Sequence, residues 1–347
     1  MKTIAIIGAS GYVGSHLVKV LSQTGKVTAI NRSPESIYKK IAGVDYIGIN
    51  QINGQFDIII NTSFSADKEP QQFEQENVAM LKHIQQMSAP HTHIIHLSSL
   101  AVFGFGLDIP VQPVALPNRT DYPYVSSKLH MENVLLEQFP NKQLSIVRLG
   151  NVWGPANQSW TQPVADALVW GMPVLHATPS FSNLTFIHNI TSYIQFIIQS
   201  ETQQTFHHLA EHNNITWQQV ITELSDHFQY IPQPIETVPF YPKSLAEEVN
   251  HAIMLGPVKM LRALKSGRFT ASGFPSFLLK ALVSVKSIVA QNTTNNPLPP
   301  YETDPVFHWV LSASKPFTNC LLEGWTPPYN WEQTSKQTLN WLDEAGY

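Results

Sequence analysis

The sequence is poor in charged residues and in cysteine, and neither sign of charge dominates it. Asp, Glu, Lys and Arg make up 13% of the 347 residues, against ~25% in ordinary globular proteins. The formal net charge is -4, and without an excess of positive charge no nucleic-acid partner is expected. The single cysteine, Cys320, excludes an internal disulfide and favours a cytoplasmic location.

Long hydrophobic runs are also missing. No stretch reaches the ~18 uncharged apolar residues that a membrane-spanning helix needs, so no transmembrane segment is predicted. The stretch MKTIAIIG passes from Met1 and Lys2 directly into a short β-rich apolar run that ends in glycine. Because a longer apolar stretch and a small-residue cleavage site are absent, this run predicts a first β-strand and not an export signal.

What the sequence does contain is an alternation of short apolar runs with segments of helical length. TIAII, KVTAI, FDIIIN, HIIHLSS and LSIVRLG are the apolar runs. The segments FEQENVAMLKHIQQM and YVSSKLHMENVLLEQF repeat apolar residues at three- and four-residue spacing, as helices do. Strands buried on both faces and separated by helices predict an α/β fold with a Rossmann-like, doubly wound parallel sheet.

From Asn151 onward the pattern loosens, although LTFIHNITSYIQFIIQ and TFHHLA predict one more helix and strand that return to the sheet. We therefore predict a sheet domain of residues 1–150 plus about 184–210. A smaller, discontinuous lobe of about 151–183 plus 211–347 follows. In that lobe, residues 274–291 predict a helix that is apolar around most of its surface. This helix could be buried in the lobe, cover the substrate as a lid, or lie on a membrane surface.

The first loop carries the motif GASGYVG between a predicted strand and a predicted helix. Glycines at this point permit a tight turn and a close approach of the backbone to a pyrophosphate, next to a helix N-terminus that attracts anions. The motif predicts a dinucleotide site, and the alternative is a tight turn without a ligand. The candidate cofactor-binding residues are Gly8, Ser10, Gly11, Tyr12, Val13 and Gly14, with Asn61, Thr62 and Ser63 at the end of the FDIIIN strand.

The second predicted strand ends in Asn31, Arg32 and Ser33, three further candidates for cofactor binding. A protein that prefers NAD places an acidic residue here, on the ribose hydroxyls. A carboxylate would repel the 2′-phosphate of NADP, whereas Arg32 can pair with it. The sequence therefore favours NADP, with NAD possible, and the alternative is that Arg32 is a solvated loop charge.

Two further motifs complete a pattern. HLSSLAVFG ends a predicted strand with Ser98 and Ser99, and YVSSK places Tyr124 and Lys128 four residues apart on one face of a helix. Together with GASGYVG and VRLGNVWGP, these motifs resemble the extended short-chain dehydrogenase/reductase family, which includes nucleotide-sugar epimerases and hydroxysteroid dehydrogenases. The resemblance runs from Met1 to about Ala210, and EGWTPPYNWEQTSKQTLNWL is similar to the closing segment of many members.

The resemblance implies a catalytic set of Ser99, Tyr124 and Lys128, joined by Asn77 of ENVAM. Tyr124 would exchange a proton with the substrate oxygen while hydride moves to or from the cofactor. Lys128 and the charged nicotinamide would lower the pKa of the phenol, Lys128 would hold the ribose, and Ser99 would hydrogen-bond the reacting oxygen. The resemblance also implies that Tyr124 and Lys128 bind the cofactor and that Ser99, Asn151 and Trp153 bind the substrate.

Two departures from the family narrow the reaction. Between Ser99 and Gly104 the chain reads LAVF, without the Asp-Glu pair that nucleotide-sugar dehydratases of the family carry there. Nucleotide-sugar members of the family tend to carry an arginine just before a Tyr-Ile-His-Val segment, and the corresponding segment of this chain, SNLTFIHN, lacks it. We therefore predict an NADP-preferring oxidoreductase that interconverts a secondary alcohol and a ketone on a fairly apolar small molecule. A nucleotide-sugar epimerase with tightly bound NAD and a non-catalytic cofactor-binding sensor or scaffold are the alternatives.

Two smaller predictions concern metals and assembly. His91 and His93 have the opposite strand parity to His96, and no carboxylate or thiolate lies nearby in the sequence, so no metal site is predicted. Family members often pair through a four-helix interface. YVSSKLHMENVLLEQF is therefore a candidate face for a homodimer, with a monomer as the alternative.

Overall fold

The computed structural model describes residues 1–32, 40–64, 69–103, 123–139, 144–169, 173–175, 180–234 and 316–347. They fall into two compact units. The first consists of the described residues of Met1–Trp153, Asn183–Asn214 and Lys315–Trp331, and the second of those of Gly154–Ser182, Ile215–Ser314 and Glu332–Tyr347. The sequence-based division placed residues 316–331 in the smaller lobe, whereas they lie in the first unit. A β-bridge between Cys320 and His208, a residue of one of the sheet strands, holds this segment there.

The described residues form eleven strands and seven α-helices. The strands are β1 (Thr3–Ile7), β2 (Lys26–Asn31), β3 (Asp45–Gly48), β4 (Phe56–Asn61), β5 (Ser88–Ser99), β6 (Leu144–Leu149), β7 (Asn151–Trp153), β8 (Pro173–Leu175), β9 (Leu184–Phe186), β10 (Phe206–Leu209) and β11 (Gln233–Pro234). The α-helices are α1 (Tyr12–Leu21), α2 (Pro70–Met87), α3 (Pro123–Gln138), α4 (Thr161–Val169), α5 (Ile187–Ser200), α6 (Trp217–Phe228) and α7 (Trp331–Ala345).

The first unit is built on one seven-stranded sheet in the order β10-β6-β5-β4-β1-β2-β3, with every neighbouring pair parallel. Helix α1 packs with α5, and α2 packs with α3. The strand order reverses between β1 and β4, the point at which open α/β sheets leave a crevice for ligands. The predicted Rossmann-like, doubly wound fold is confirmed.

The sheet is stabilised by strands that are apolar on both faces. Ile6, Ile59 and Ile60 are fully buried in β1 and β4, and burial of one such side chain stabilises the fold by ~1.5–3 kcal/mol. One core cluster joins Ile59 to Ile84 of α2 and to Leu135 of α3. This packing fixes the two helices that carry Asn77, Tyr124 and Lys128.

The second unit contains α4, β8, α6 and β11, together with α7 from Glu332 onward. Helix α6 begins with a capping box, because the Thr216 hydroxyl accepts the N–H of Gln219 while the Gln219 amide oxygen accepts the N–H of Thr216. No helix among the described residues is long and apolar enough to cross a membrane. Residues 274–291, for which an apolar helix is predicted, lie outside them.

Candidate active site

The glycine loop, residues 8–14, follows β1 and has little room for a Cβ atom at its three glycines. Gly8 has φ of +78° and donates its N–H to the carbonyl oxygen of Ile30, 3.0 Å away. A Cβ at Gly11 would lie 3.1 Å from the carbonyl oxygen of Gly8, and a Cβ at Gly14 would overlap that same oxygen. The loop therefore presents bare main chain at the start of α1, where Gly11 is the N-cap and caps without a side-chain hydrogen bond. These features fit a pyrophosphate.

The neighbouring strand ends hold this loop in place. The side-chain oxygen of Asn31 accepts the N–H of Ser10 at 2.7 Å. Thr62 donates its hydroxyl to the carbonyl oxygen of Ile7 at 2.8 Å, and Ser63 donates to the Asn61 side-chain oxygen at 2.6 Å. These contacts bring the predicted cofactor residues of β1, β2 and β4 to one edge of the sheet.

One buried donor at this edge has no hydrogen-bond partner among the described residues. The Asn31 side-chain nitrogen is buried and makes no hydrogen bond within the described part of the chain, which would suit an acceptor on a bound dinucleotide. Arg32 is exposed at the end of β2, whereas Ser33 lies outside the described residues. Of the other candidates, Val13 is half-buried and Tyr12 packs its ring 5.0 Å from that of His16.

Ser99, Tyr124 and Lys128, called here the Ser-Tyr-Lys set, lie together at the carboxyl end of β5. Ser99 is the last residue of β5, and its hydroxyl is hydrogen-bonded with the Tyr124 phenol. One turn along α3 from Tyr124, the buried Lys128 ammonium donates to the carbonyl oxygen of Leu97 at 2.9 Å. Because β1 and β5 are parallel, the glycine loop and this set share one edge of the sheet.

In the protein without a cofactor, burial dominates the electrostatics of Tyr124 and Lys128. Although part of the Tyr124 side chain is exposed, the protein around it desolvates the phenol and raises its pKa, and the hydrogen bond with Ser99 lowers the pKa by less. Burial lowers the pKa of Lys128 to about 8, with Glu132 opposing that change. In the protein by itself the phenol is therefore held in its protonated form. The sequence-based prediction concerns another state: with the positively charged nicotinamide ring bound, the pKa of Tyr124 is expected to be lowered.

Asn77 and the two candidate substrate residues have mainly structural neighbours. The Asn77 amide donates to the carbonyl oxygen of Ser127 at 2.9 Å, so it ties α2 to the residue before Lys128. Asn151 and Trp153 are the ends of β7, which pairs with β9. Trp153 is buried, and its indole N–H has no hydrogen-bond partner within the part of the chain that the structure describes.

Phe64, which the sequence analysis missed, lies against the Ser-Tyr-Lys set. Its ring meets the Tyr124 ring edge to face at 5.5 Å, and the Lys128 nitrogen lies 5.3 Å from the Phe64 centroid. The residue stands three positions beyond the end of β4. A large apolar residue directly after polar Asn61, Thr62 and Ser63 was the available signal.

A buried ion pair behind the set was missed as well. Arg148 of β6 donates to both carboxylate oxygens of Glu132, at 3.1 and 2.6 Å. The Arg148 guanidinium also lies between the rings of Phe103 and Phe206, at 4.8 and 4.6 Å. Glu132 follows Lys128 by four residues on α3, and this spacing could have indicated that the carboxylate influences the lysine's charge.

The three histidines of β5 make separate contacts. His91 faces Asp57 at 3.2 Å, His93 bonds the Ser145 hydroxyl at 2.9 Å, and His96 bonds the Asn61 amide at 3.2 Å. Burial lowers the pKa of His93 to about 4 and that of His96 well below its usual range. Among the described residues, no group of three or more His, Cys, Asp or Glu side chains is placed to hold a metal ion.

The parallel sheet, the glycine loop and the Ser-Tyr-Lys set together define an extended short-chain dehydrogenase/reductase fold. More particularly, the chain belongs to the NAD dependent epimerase/dehydratase family, whose model matches residues 4–193. No curated protein matches the chain.

Solved structures with the same fold include NAD-bound enzymes. A dTDP-glucose 4,6-dehydratase from Bacillus anthracis in complex with NAD is 13% identical, with a TM-score of 0.60 over 99% of this chain and 97% of its own. A UDP-N-acetylglucosamine 4-epimerase from Bacillus cereus is 14% identical, with a TM-score of 0.54 over 72% and 91%. A UDP-glucose 4-epimerase from Bifidobacterium longum with NAD+ and UDP is 16% identical, with a TM-score of 0.54 over 70% and 88%. At such identities the likeness concerns the fold alone.

Proposed function

We propose that the protein is an NADP-preferring oxidoreductase that interconverts a secondary alcohol and a ketone on a fairly apolar small molecule. The observation that carries the proposal is the meeting of Ser99, Tyr124 and Lys128 at the same sheet edge as the glycine loop. A proton-transfer phenol, a buried ammonium and a pyrophosphate cradle are the parts that hydride transfer to a carbonyl requires from a protein.

Each part has a distinct task in the proposed reaction. The bare main chain of the glycine loop receives the pyrophosphate, and Lys128 holds the ribose hydroxyls with the donors that Leu97 leaves unused. Ser99 holds the substrate oxygen, and Tyr124 delivers a proton to it in the reductive direction or removes one in the oxidative direction. The nicotinamide cofactor supplies or accepts the hydride.

The choice of NADP depends on Arg32. Its side chain is exposed directly after Asn31 at the end of β2. The Asn-Arg-Ser segment contains no carboxylate that would repel a 2′-phosphate, and its guanidinium could pair with one. Two of the solved structures named above, the dTDP-glucose 4,6-dehydratase and the UDP-glucose 4-epimerase, contain NAD, so cofactor preference is to be measured directly. NAD stays the second candidate.

A nucleotide-sugar epimerase is the second candidate function. It is favoured by the fold shared with two UDP-sugar 4-epimerases, and the same Tyr124 would serve it. Net redox change separates the two functions, because an epimerase returns the hydride to its substrate and consumes no external cofactor. A sensor or scaffold without turnover is disfavoured, since it needs neither a proton-transfer phenol nor a buried ammonium.

The test is a panel of apolar ketones and secondary alcohols, assayed by the absorbance of NADPH and NADH, with UDP-sugars in parallel. We expect stoichiometric oxidation of NADPH by at least one apolar ketone. Conversion of a UDP-sugar without any change in cofactor absorbance would overturn the proposal in favour of the epimerase. No change with any substrate, in protein shown to bind NADPH, would favour the sensor.

Two further properties are proposed, one of assembly and one of location. A homodimer through α3 follows from the family resemblance, and sedimentation velocity would distinguish it from a monomer. A cytoplasmic location follows from the single cysteine, and fractionation of cells would test it.

A further inference from the structure

Five large hydrophobic side chains are exposed among the residues that the structure describes: Met1, Phe64, Val78, Tyr124 and Ile231. Two of them, Phe64 and Tyr124, contact each other at the sheet edge that carries the candidate active site. They are 52% and 41% exposed. Because exposed aromatic surface is unfavourable in water, a pair that is half exposed beside reactive groups calls for a functional explanation.

The geometry ties Phe64 to both of its polar neighbours. Its ring stands at 83° to the Tyr124 ring with centroids 5.5 Å apart, the edge-to-face arrangement that aromatic pairs prefer. The Lys128 ammonium lies 5.3 Å from the Phe64 centroid and 6.0 Å from that of Tyr124, within the reach of a cation–π contact. Phe64 therefore contacts both Tyr124 and Lys128.

The contacts also cover one side of the ammonium. Lys128 is only 5% exposed, although it lies at the open edge of the sheet. Within the described residues its nitrogen donates one hydrogen bond, to Leu97. With the Leu97 carbonyl on one side and the Phe64 ring on another, the remaining N–H donors are left for acceptors that arrive from the sheet edge.

We infer that Phe64 is a positioning residue of this site. Its ring fixes the orientation of the Tyr124 phenol and covers the Lys128 ammonium, so that the proton-transfer oxygen and the ribose-binding donors keep a set separation. The inference rests on the proposed function for the roles of Tyr124 and Lys128, but the cover over Lys128 can be measured without turnover.

The first experiment measures, in cofactor-free protein, how far the Phe64 ring shields the Lys128 amine from a reagent in solution. An amine-acylating reagent is applied briefly, and modification of Lys128 is quantified by peptide mass spectrometry relative to the exposed Lys26. Phe64→Ala should raise the relative rate at Lys128 by about 5-fold or more, whereas Phe64→Tyr, which keeps the ring, should leave it within about 2-fold of wild type. Equal rates in wild type and Phe64→Ala would overturn the inference, even if the substrate panel finds no activity.

The second experiment is a double-mutant cycle on the single-turnover rate. If Phe64 acts through the phenol, Phe64→Ala should lower the rate by ~10-fold in protein that has Tyr124 and by less than ~2-fold in the Tyr124→Phe background. KM should change little, and Phe64→Tyr should restore the rate. The same loss in both backgrounds would mean a merely structural role and would overturn the inference.

Val78→Ala is the matched control in both experiments. Val78 is an apolar side chain of α2 with 40% exposure, so its truncation removes surface of the same kind at another place. It should change neither the labelling of Lys128 nor the single-turnover rate. Failure of the proposed function would leave wild type without redox turnover, whereas failure of the inference would leave wild type active and Phe64→Ala unchanged.

Discussion

The glycine loop and the Ser-Tyr-Lys set lie at the same edge of one sheet, but they are built from different material. The loop works through main chain, and its shape follows from the absence of side chains at Gly8, Gly11 and Gly14. The set works through side chains, and its shape depends on residues that arrive from β4, β5 and α3. A local motif can specify the first, while the second needs the whole sheet.

This difference decides how each part should respond to substitution. A methyl group added at Gly11 or Gly14 has backbone atoms as its nearest neighbours, and these cannot rotate away. In the set, removing one oxygen leaves the packing intact and deletes only a chemical step. The variants below separate a loss of cofactor binding from a loss of chemistry.

The largest expected effect is on chemistry. Tyr124→Phe removes only the phenolic oxygen, so the fold and NADPH affinity should survive while kcat falls by ~10²- to 10⁴-fold, the usual contribution of a positioned acid or base. Stopped-flow rates and a fluorescence titration with NADPH measure the two properties. Tyr46→Phe, which removes the oxygen that accepts the N–H of Ile41 far along the sheet, should retain kcat. A Tyr124→Phe enzyme with most of its kcat would refute the mechanism.

The next effect is on cofactor binding. Gly14 lies in α1, where alanine is intrinsically favoured over glycine by about 1 kcal/mol, yet its Cβ would overlap the carbonyl oxygen of Gly8. Overpacking costs ~1–3 kcal/mol, so Gly14→Ala should weaken NADPH binding by roughly 10- to 100-fold by displacing the loop. Isothermal titration measures this.

Gly43→Ala is the control for that variant. A Cβ at Gly43 meets no atom within 4 Å, although φ is +81°, so this change should cost only local strain and leave NADPH affinity unaltered. If Gly14→Ala binds NADPH as tightly as wild type does, the close approach of the loop to the pyrophosphate is not needed.

The sequence predicted the two parts unequally, and the reason is physical. Alternating apolar runs determine strands and crossovers locally, so the parallel sheet and the position of the glycine loop could be derived from the sequence. The spacing of Tyr124 and Lys128 put both on one helical face, and the family resemblance supplied Ser99 as their partner. The contact of Phe64 with Tyr124 joins residues 60 positions apart, so the apolar residue after Asn61, Thr62 and Ser63 could be noticed in the sequence but its partner could not be derived.

A smaller effect should reveal cofactor choice. Arg32 is exposed, so its pairing with a 2′-phosphate is screened by solvent and contributes toward the low end of the range for charged hydrogen bonds. Arg32→Asp should weaken NADPH binding by ~10-fold and leave NADH binding almost unchanged. Arg32→Gln, which removes the charge without adding repulsion, should fall between that variant and wild type. Equal losses for the two cofactors would remove the basis for NADP preference.

The smallest effect concerns the stability cost of burying Lys128. Its pKa is lowered to about 8 in the folded protein from an ordinary value of 10.5. Between those values the unfolded chain holds more protons at this position than the folded chain does, so raising the pH favours folding there. Below pH 8 the ammonium is charged in both states and the cost of its burial is complete.

Lys128→Met removes that cost and also the hydrogen bond to Leu97. The difference in Tm between Lys128→Met and wild type should therefore be most favourable to the variant near pH 7, and it should shrink steadily between pH 8 and 10.5. Thermal unfolding followed by circular dichroism in matched buffers measures it. The variant Lys26→Met, at an exposed lysine, should show no such trend.

A difference in Tm that is constant over this range would mean that Lys128 titrates as an ordinary solvated lysine. Its role would then be limited to contacts with the ribose, because a solvated ammonium gives the phenol only a weak field.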